Sequence, residues 1–166
     1  LQFDRAYHTD GFASFAEQVR HHLDRLDVRP SVVDLWSCST AGVVQPDPDA
    51  VRNAVAGQWA RQVRFRETVE AMYADAEAGG PKPPWDYGAP RPQFVEWAEV
   101  QNLAGDGREA LVVGCGYGAD AEFLASLGFR TTGFDFAPTA IAGARRKYPA
   151  SEVRYLVADV LDLPRE

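Results

Sequence analysis

The second half of the chain alternates between short apolar runs and helical patterns, and this order restricts the possible folds more than any other feature. The apolar runs read "REALVVG", "FRTTGFD" and "EVRYLVAD", and the helical patterns "ADAEFLASLG" and "PTAIAGARRKY" separate them. A further helix is predicted from about Phe94 to Leu103. Short connections between alternating strands and helices predict a parallel sheet whose faces are covered by helices. The predicted fold class is therefore α/β.

The first 80 residues show a different, mostly helical pattern. "FASFAEQVRHHLDRL" predicts a helix, "SVVDLWS" a short buried strand, and "DPDAVRNAVAGQWARQVRFRETVEAMYADAEA" one long helix capped by Asp49. The segment "AGGPKPPWDYGAPRPQ" at 78–93 holds five of the eleven prolines and three glycines, so regular structure is expected to stop there. The predicted domains are a helical region over 1–80, of unknown role, and a sheet domain over 81–166.

Composition excludes several classes of protein. The chain has 166 residues, 46% of them hydrophobic and 25% charged, which is typical of a soluble globular domain. Its net charge of −7 is spread over both halves, so a nucleic-acid partner is not expected. No apolar stretch approaches the ~20 residues of a membrane span, and no signal peptide is evident, which predicts a cytoplasmic protein without a membrane partner. Neither the cysteines nor the histidines show metal-ligand spacing, so no metal is expected.

A glycine-rich turn follows the first strand of the alternating half. Gly114, Gly116 and Gly118 stand where that strand gives way to a helix, and absent side chains let backbone amides approach a ligand closely. The alternative is a tight turn that binds nothing. Asp135 lies twenty-one residues after Gly114, at the end of the second strand, where a carboxylate is suited to the two ribose hydroxyls. Its alternative role is to cap the helix that begins near Pro138.

The third strand also ends in a carboxylate. In "VADVLDLP", Asp159 is placed to accept the amine of adenine, and the amide of Val160 to face a ring nitrogen, although a solvated turn is the alternative. The glycine loop and two strand-end acids together predict an adenosine site. Ala119 stands at the third position of a G-x-G-x-x-G/A pattern, so the loop alone does not exclude NAD.

These motifs resemble the cofactor half of class I S-adenosylmethionine-dependent methyltransferases, which have a Rossmann-like sheet, and most closely the thiopurine and thiol or halide methyltransferase group. That group shows V-x-G-C-G-x-G-x-D, then G-x-D-x-[SA]-P-x-A, then V-x-x-D-x-[FL]-x-L-P, preceded by P-W-[DE]-x-G-x-P-x-P. The matching positions of this chain are Trp85, Gly114, Cys115, Gly116, Gly118, Asp120, Asp135, Pro138, Ala140 and Asp159.

The resemblance implies S-adenosylmethionine as cofactor and methyl transfer to a small-molecule acceptor, with a thiol or similar soft nucleophile favoured. It places Trp85 against the methionine side of the cofactor, where a flat ring favours a sulfonium by cation–π attraction; a buried apolar plug is the alternative role. Cys115 and Phe136 join the implied cofactor site, although Phe136 stands where the group has a smaller residue. No catalytic base is identified, because transfer to a soft acceptor depends mainly on alignment and exclusion of water.

Two other functions and one structural consequence remain open. An NAD-dependent oxidoreductase and a non-catalytic nucleoside-binding module would also use a glycine loop and two strand-end acids. The resemblance ends after the third core strand, so the chain is expected to be truncated relative to the family fold. "EALVVG" would then be an unpaired apolar edge that favours self-association, unless "SVVDLWS" pairs with it.

Overall fold

The computed structural model describes residues 7–163. The chain divides into two compact units, Leu1–Met72 and Tyr73–Glu166. This division lies eight residues before the domain boundary predicted at 80/81, because the end of one helix and the proline-rich loop both group with the sheet. The function of the first unit as a separate domain stays a prediction.

The first unit consists of short helices and one hairpin. A 3-10 turn at Asp10–Phe12 leads into α1 (Ala13–Leu23), and a second 3-10 turn at Gln58–Ala60 follows α2 (Pro48–Gly57). The hairpin pairs β1 (Leu35–Ser37) with β2 (Gly42–Val44) in antiparallel register. The mostly helical character predicted for this region is confirmed.

The predicted strand "SVVDLWS" is largely wrong. Only its last three residues are extended and paired, while Val32 and Val33 are 98% and 66% exposed. Its partner β2 was not predicted, and the turn between them needs a left-handed residue, Ala41 at φ 52°. The two strands form a sheet of their own, so this segment does not pair with "EALVVG".

The single long helix predicted over 47–78 is also wrong, because the chain breaks in the middle of it. α2 ends at Gly57, the 3-10 turn follows, and α3 begins only at Phe65 and ends at Glu77. At the break Arg61 is extended, and the Arg64 amide donates to the Cys38 carbonyl at 2.7 Å. This link to the turn after β1 offsets the helical hydrogen bonds that the break gives up.

The second unit has the alternating order that the sequence predicts. α4 (Pro92–Val100) precedes β3 (Glu109–Val113), α5 (Ala119–Ser126), β4 (Arg130–Asp135), α6 (Pro138–Lys147) and β5 (Arg154–Val157). The strands are parallel in the order β3-β4-β5, with Val113 opposite Phe134 and Asp135 opposite Val157. The predicted α/β class with a Rossmann-like parallel sheet is therefore confirmed.

The core of this unit lies under α5 and α6. Its buried centre joins residues of the two helices to residues in and just before β5, and it consists of Ala121, Ile141, Ala144, Val153 and Tyr155. Small alanines let both helices approach the sheet closely, and they bring the loops at the carboxyl ends of the strands together.

One edge of the sheet is bare within residues 7–163. β3 pairs only with β4, and its side chains Leu111 and Val113 are 60% and 55% exposed. The unpaired apolar edge predicted for "EALVVG" is thus present. Over the same described residues, no helix is long and apolar enough to cross a bilayer, and no group of three or more metal-binding side chains is found.

Candidate cofactor site at the carboxyl end of the sheet

The glycine loop between β3 and α5 is left-handed at alternate positions. Gly114, Gly116 and Gly118 have φ values of 64°, 53° and 88°, in the region that side-chain-bearing residues avoid. The loop is tied to the sheet because the Cys115 amide donates to the Phe134 carbonyl at 3.0 Å. Each of the three glycines is therefore required by the backbone alone.

The space around the three glycines differs. A Cβ at Gly118 would collide with the hydroxyl of Tyr155, and one at Gly116 would lie 3.0 Å from the hydroxyl of Tyr73. A Cβ at Gly114 would meet nothing within 4 Å. Packing against tyrosines thus adds a second reason for two of the glycines, while Gly114 leaves open space at the end of the strand.

Asp135 holds the loop from the neighbouring strand end. Its side chain is buried, with the residue 5% exposed; one carboxylate oxygen accepts from the Gly116 amide and the other from the Ala137 amide, each at 3.0 Å. The second bond stabilises the turn before α6, close to the capping role that the sequence offered as an alternative. Each oxygen keeps a further lone pair, and a contact with ribose stays a prediction.

Burial makes Cys115 a poor nucleophile. Desolvation, reinforced by the nearby Asp135 carboxylate, raises the pKa of its thiol to about 12. The thiol therefore stays protonated near neutral pH, and Cys115 is suited to lining a site rather than to covalent chemistry.

A cluster of three aromatic side chains stands beside the glycine loop. The Trp85 indole N–H donates to the Tyr73 hydroxyl at 2.9 Å, and the Tyr73 and Tyr117 rings meet edge to face at 5.2 Å. Tyr73 is only 2% exposed, and burial raises the pKa of its phenol to about 12. Burial, with Glu77 beside it, also raises the pKa of Tyr117. The cluster is thus neutral and rigid, and it holds the Trp85 ring at the loop.

The loop and the aromatic cluster enclose a small cleft of about 70 Å³. Five of the predicted site residues line it, namely Trp85, Gly114, Cys115, Gly116 and Gly118. Its two carboxylates are already engaged: Asp120 accepts from the Arg91 amide at 2.9 Å and Asp86 from the Gly88 amide at 2.9 Å. Each of these carboxylates therefore has one oxygen fixed by a backbone amide.

The other four predicted residues lie outside that cleft, at or near the ends of β4 and β5. Asp135 lies beneath the loop, and Phe136 directly follows it. The Ala158 amide donates to the Asp135 carbonyl at 3.0 Å, which brings the residues after β5 to the same sheet edge. There Asp159 accepts from the Leu161 amide and Val160 is 53% exposed. Pro164, the end of the motif, lies outside the described residues.

Sequence reasoning missed two tyrosines of this site. Tyr117 lies inside the glycine motif, but the motif accepts any residue there. Tyr73 lies on α3, twelve residues before Trp85, and no motif includes it. The available signal was an aromatic position on the helix that precedes the proline-rich loop. Asp120 matched the motif but had no predicted role; in the structure its carboxylate accepts from the Arg91 amide and so fixes the end of the proline-rich loop.

The fold and the loop define a class of protein, and the comparison with family models agrees. Residues 110–166 match the family described as "Methyltransferase domain". This segment begins in β3, includes the glycine loop, Asp135 and the end of β5, and is similar to class I S-adenosylmethionine-dependent methyltransferase domains. The cofactor of that class is S-adenosylmethionine.

Individual relatives share only part of their length with this chain. The 2-heptyl-1-hydroxyquinolin-4(1H)-one methyltransferase of Mycobacteroides abscessus is 35% identical over 82 residues, which are 49% of this chain and 35% of that protein. This chain therefore spans about a third of that curated relative.

Two solved structures are also similar. One is described as "Conversion of a Disulfide Bond into a Thioacetal Group during Echinomycin Biosynthesis" and is 43% identical to this chain. The aligned region is 58% of this chain and 41% of that chain, with a TM-score of 0.49. The N-methyltransferase NodS of Bradyrhizobium japonicum WM9, in complex with S-adenosyl-L-homocysteine, is 24% identical over 57% of this chain and 50% of its own, with a TM-score of 0.41.

Proposed function

We propose that this protein transfers a methyl group from S-adenosylmethionine to a small-molecule acceptor. The observation that carries the proposal is the match of residues 110–166 to the methyltransferase domain, together with the left-handed glycine loop tied to Asp135 at 3.0 Å. An NAD-dependent oxidoreductase is not favoured, because the family match points to methyl transfer.

The residues at the sheet edge fit the cofactor. Gly114 leaves open space at the end of β3, so a ligand has room to approach the backbone there. We assign the methionine part of the cofactor to Trp85 and the loop Gly114–Gly118, and the adenosine part to Asp135, Phe136, Asp159 and Val160. When bound, the cofactor supplies an electrophilic methyl group on a positively charged sulfur.

The chain contributes binding, orientation and exclusion of water. The Trp85 ring, held by its hydrogen bond to Tyr73, presents an aromatic face that attracts a sulfonium. Burial raises the pKa of the neighbouring Tyr73, Tyr117 and Cys115, so these groups stay neutral even well above pH 7. They supply no competing nucleophile, while the Trp85 ring favours a cationic ligand.

We further propose that the acceptor is a thiol or a similar soft nucleophile. Among the described residues that line the cleft there is no histidine, and its carboxylates, Asp86 and Asp120, each accept a backbone amide, so an acceptor that needs no base suits this site. A thiol with a low pKa arrives deprotonated and needs only alignment. The alternative acceptor is a 1-hydroxyquinolin-4-one, the compound in the name of the mycobacterial relative.

Calorimetry with S-adenosylhomocysteine tests the cofactor assignment directly. We expect saturable binding to this chain and none with NADH. Asp135→Ala is expected to weaken binding by about 1.5–3 kcal/mol, the contribution of hydrogen bonds to a charged group. Asp162→Asn, a change at an exposed turn acid near the same edge, is the matched control and should bind as the wild type does.

A folded Asp135→Ala variant with unchanged affinity would reject the adenosine assignment, and binding of NADH in preference would reject the methyltransferase proposal. The acceptor is tested separately by product detection with 4-nitrothiophenol, 4-nitrophenol and 2-heptyl-1-hydroxyquinolin-4(1H)-one. Methylation of the thiol alone is the expected result. Methylation of the hydroxyquinolone alone would overturn the soft-acceptor proposal and leave methyl transfer standing.

A further inference from the structure

The first unit contains a cavity of about 310 Å³, separate in sequence from every residue assigned to methyl transfer. The β1–β2 hairpin lines one part of it and α2 another, and the extended residues after the 3-10 turn complete it. Most of its walls are apolar, formed by Leu35, Trp36, Val44, Val51, Val55 and Val63.

The apolar lining of α2 follows one face of the helix. Val51, Ala54 and Val55 are spaced i, i+3 and i+4, the pattern of a face that normally packs against another element. Here Val55 and Val63 remain 41% and 48% exposed. Apolar surface left in contact with water around a concavity is a source of binding free energy for an apolar ligand.

The charge in the lining is of one sign. Among residues 7–163, no aspartate or glutamate lines the cavity, and the one permanently charged lining residue is Arg61. Its guanidinium lies alongside Gly57 at the end of α2, where a Cβ would be 3.4 Å from the Arg61 Cζ. Among residues 7–163 Arg61 has neither an ion pair nor a hydrogen bond, whereas Arg52 and Arg64 each pair with a carboxylate.

Several of the other polar lining groups already have partners. The Ser37 and Ser39 hydroxyls pair with each other at 2.9 Å, and His8 Nδ1 lies 2.6 Å from the Gln58 carbonyl. The His8 amide also donates to the Trp59 carbonyl at 2.9 Å, which holds His8 at a left-handed φ of 62° against the 3-10 turn. Among the described lining residues, Arg61 is therefore the charged group without a partner.

We propose that this cavity binds a small aromatic carboxylate. The aromatic body would lie among Trp36 and the valines, and the carboxylate would pair with Arg61. The volume is at the lower end of the roughly 300–1,000 Å³ of small-molecule sites, which suits one or two fused rings. A neutral apolar ligand would leave Arg61 unpaired, and a dianion would exceed the single available charge.

Titration of the 166-residue chain with 2-naphthoate and with 2-naphthamide, followed by ligand-observed NMR, tests this proposal without any methyltransferase cofactor. We expect saturable naphthoate binding and at least tenfold weaker binding of the neutral amide. Arg61→Gln should reduce naphthoate affinity to that of the amide. Arg29→Gln, which removes the same charge at an exposed position outside the cavity, should change neither.

Two further variants test the location. Ala54→Phe fills the cavity and is expected to weaken both ligands, with its fold checked by circular dichroism. Val63→Asp places a carboxylate at an exposed, non-helical lining position and should weaken naphthoate more than the amide. Absence of saturable naphthoate binding, equal affinity for the two ligands, or an Arg61→Gln variant that binds naphthoate as the wild type does would each overturn the proposal.

Discussion

Among the three glycines of the loop, Gly114 is the one whose substitution would test ligand binding without also disturbing side-chain packing. Its Cβ would meet open space, whereas those of Gly116 and Gly118 would press on tyrosine hydroxyls. We expect Gly114→Ala to cost about 1 kcal/mol of stability through its left-handed backbone. In the proposed site the added methyl group would face the cofactor, so binding of S-adenosylhomocysteine should also weaken at least about tenfold, measured by calorimetry.

Gly107 provides the matched control for that variant. It has a similar φ of 74°, its Cβ would also meet open space, and it lies in the turn before β3, away from the loop. Gly107→Ala should therefore lose similar stability and keep full cofactor affinity. Equal affinities in the two variants would mean that Gly114 serves only the turn.

The environment of Cys115 predicts a slow thiol with an unusual pH dependence. With a pKa of about 12, its thiolate fraction should rise about tenfold per pH unit from pH 8 to 10, whereas a free thiol with a pKa of about 8.5 levels off. In a Cys38→Ser variant we expect iodoacetamide to label Cys115 at least about tenfold more slowly at pH 8 than it labels N-acetylcysteine. A rate that equals that of N-acetylcysteine and levels off above pH 9 would show that the Asp135 carboxylate and burial do not act on this thiol.

At the scale of elements, the start of α2 has two neighbouring aspartates, of which only one is the N-cap of the helix. Asp49 was the predicted cap, but Asp47 is the capping residue, and its carboxylate accepts from the Asp49 and Ala50 amides at 3.1 and 2.9 Å. Asp47→Ala should lower the free energy of unfolding by about 1 kcal/mol. The measurement is a urea titration followed by circular dichroism at 222 nm.

Asp49→Ala is the comparison for the cap. Asp49 is largely exposed and pairs with Arg20 and Arg52, each at 3.1 Å, so its loss should cost only about 0.5 kcal/mol. A larger loss from Asp49→Ala than from Asp47→Ala would contradict the assignment of the cap.

The elements of the second unit were predictable because local and long-range preferences agree there. Each strand is a short apolar run bounded by glycine, proline or charged residues, and each helix carries alanines on the face that meets the sheet. In the first unit the preferences conflict. Helical periodicity continues through "GQWARQVRF", but the pairing of the Arg64 amide with the Cys38 carbonyl overrides it. Such a contact depends on residues twenty-six positions apart and leaves no local pattern.

At the scale of the whole molecule, the same limit applies to the site. Some positions are determined by the backbone, such as glycines at left-handed φ values and acids that follow a strand, and these have a recognisable spacing in the sequence. The position of Tyr73 against Gly116 and Trp85 follows from how α3 ends beside the loop, and no spacing within the motif encodes it. The left-handed glycines and the buried acid at the end of β4 were therefore predictable from the sequence, whereas of the aromatic cluster only Trp85 was, and their contact with a cofactor stays a prediction.

The bare edge of the sheet leads to a prediction about association. β3 leaves backbone donors and acceptors unpaired along one side, and Leu111 and Val113 expose apolar surface on the same strand. An edge of this kind favours pairing with a second strand. We expect sedimentation velocity of the purified chain to show concentration-dependent self-association.

Two lysine substitutions locate the contact. Leu111→Lys places a charge on the β3 edge and should shift the chain toward the monomer, because a charged edge disfavours strand pairing. Leu161→Lys makes the same exchange at a side chain that is 90% exposed in the turn after β5, and it should leave association unchanged. A wild-type chain that sediments as a monomer at every concentration would contradict the prediction, and equal effects of the two lysines would place the contact elsewhere than β3.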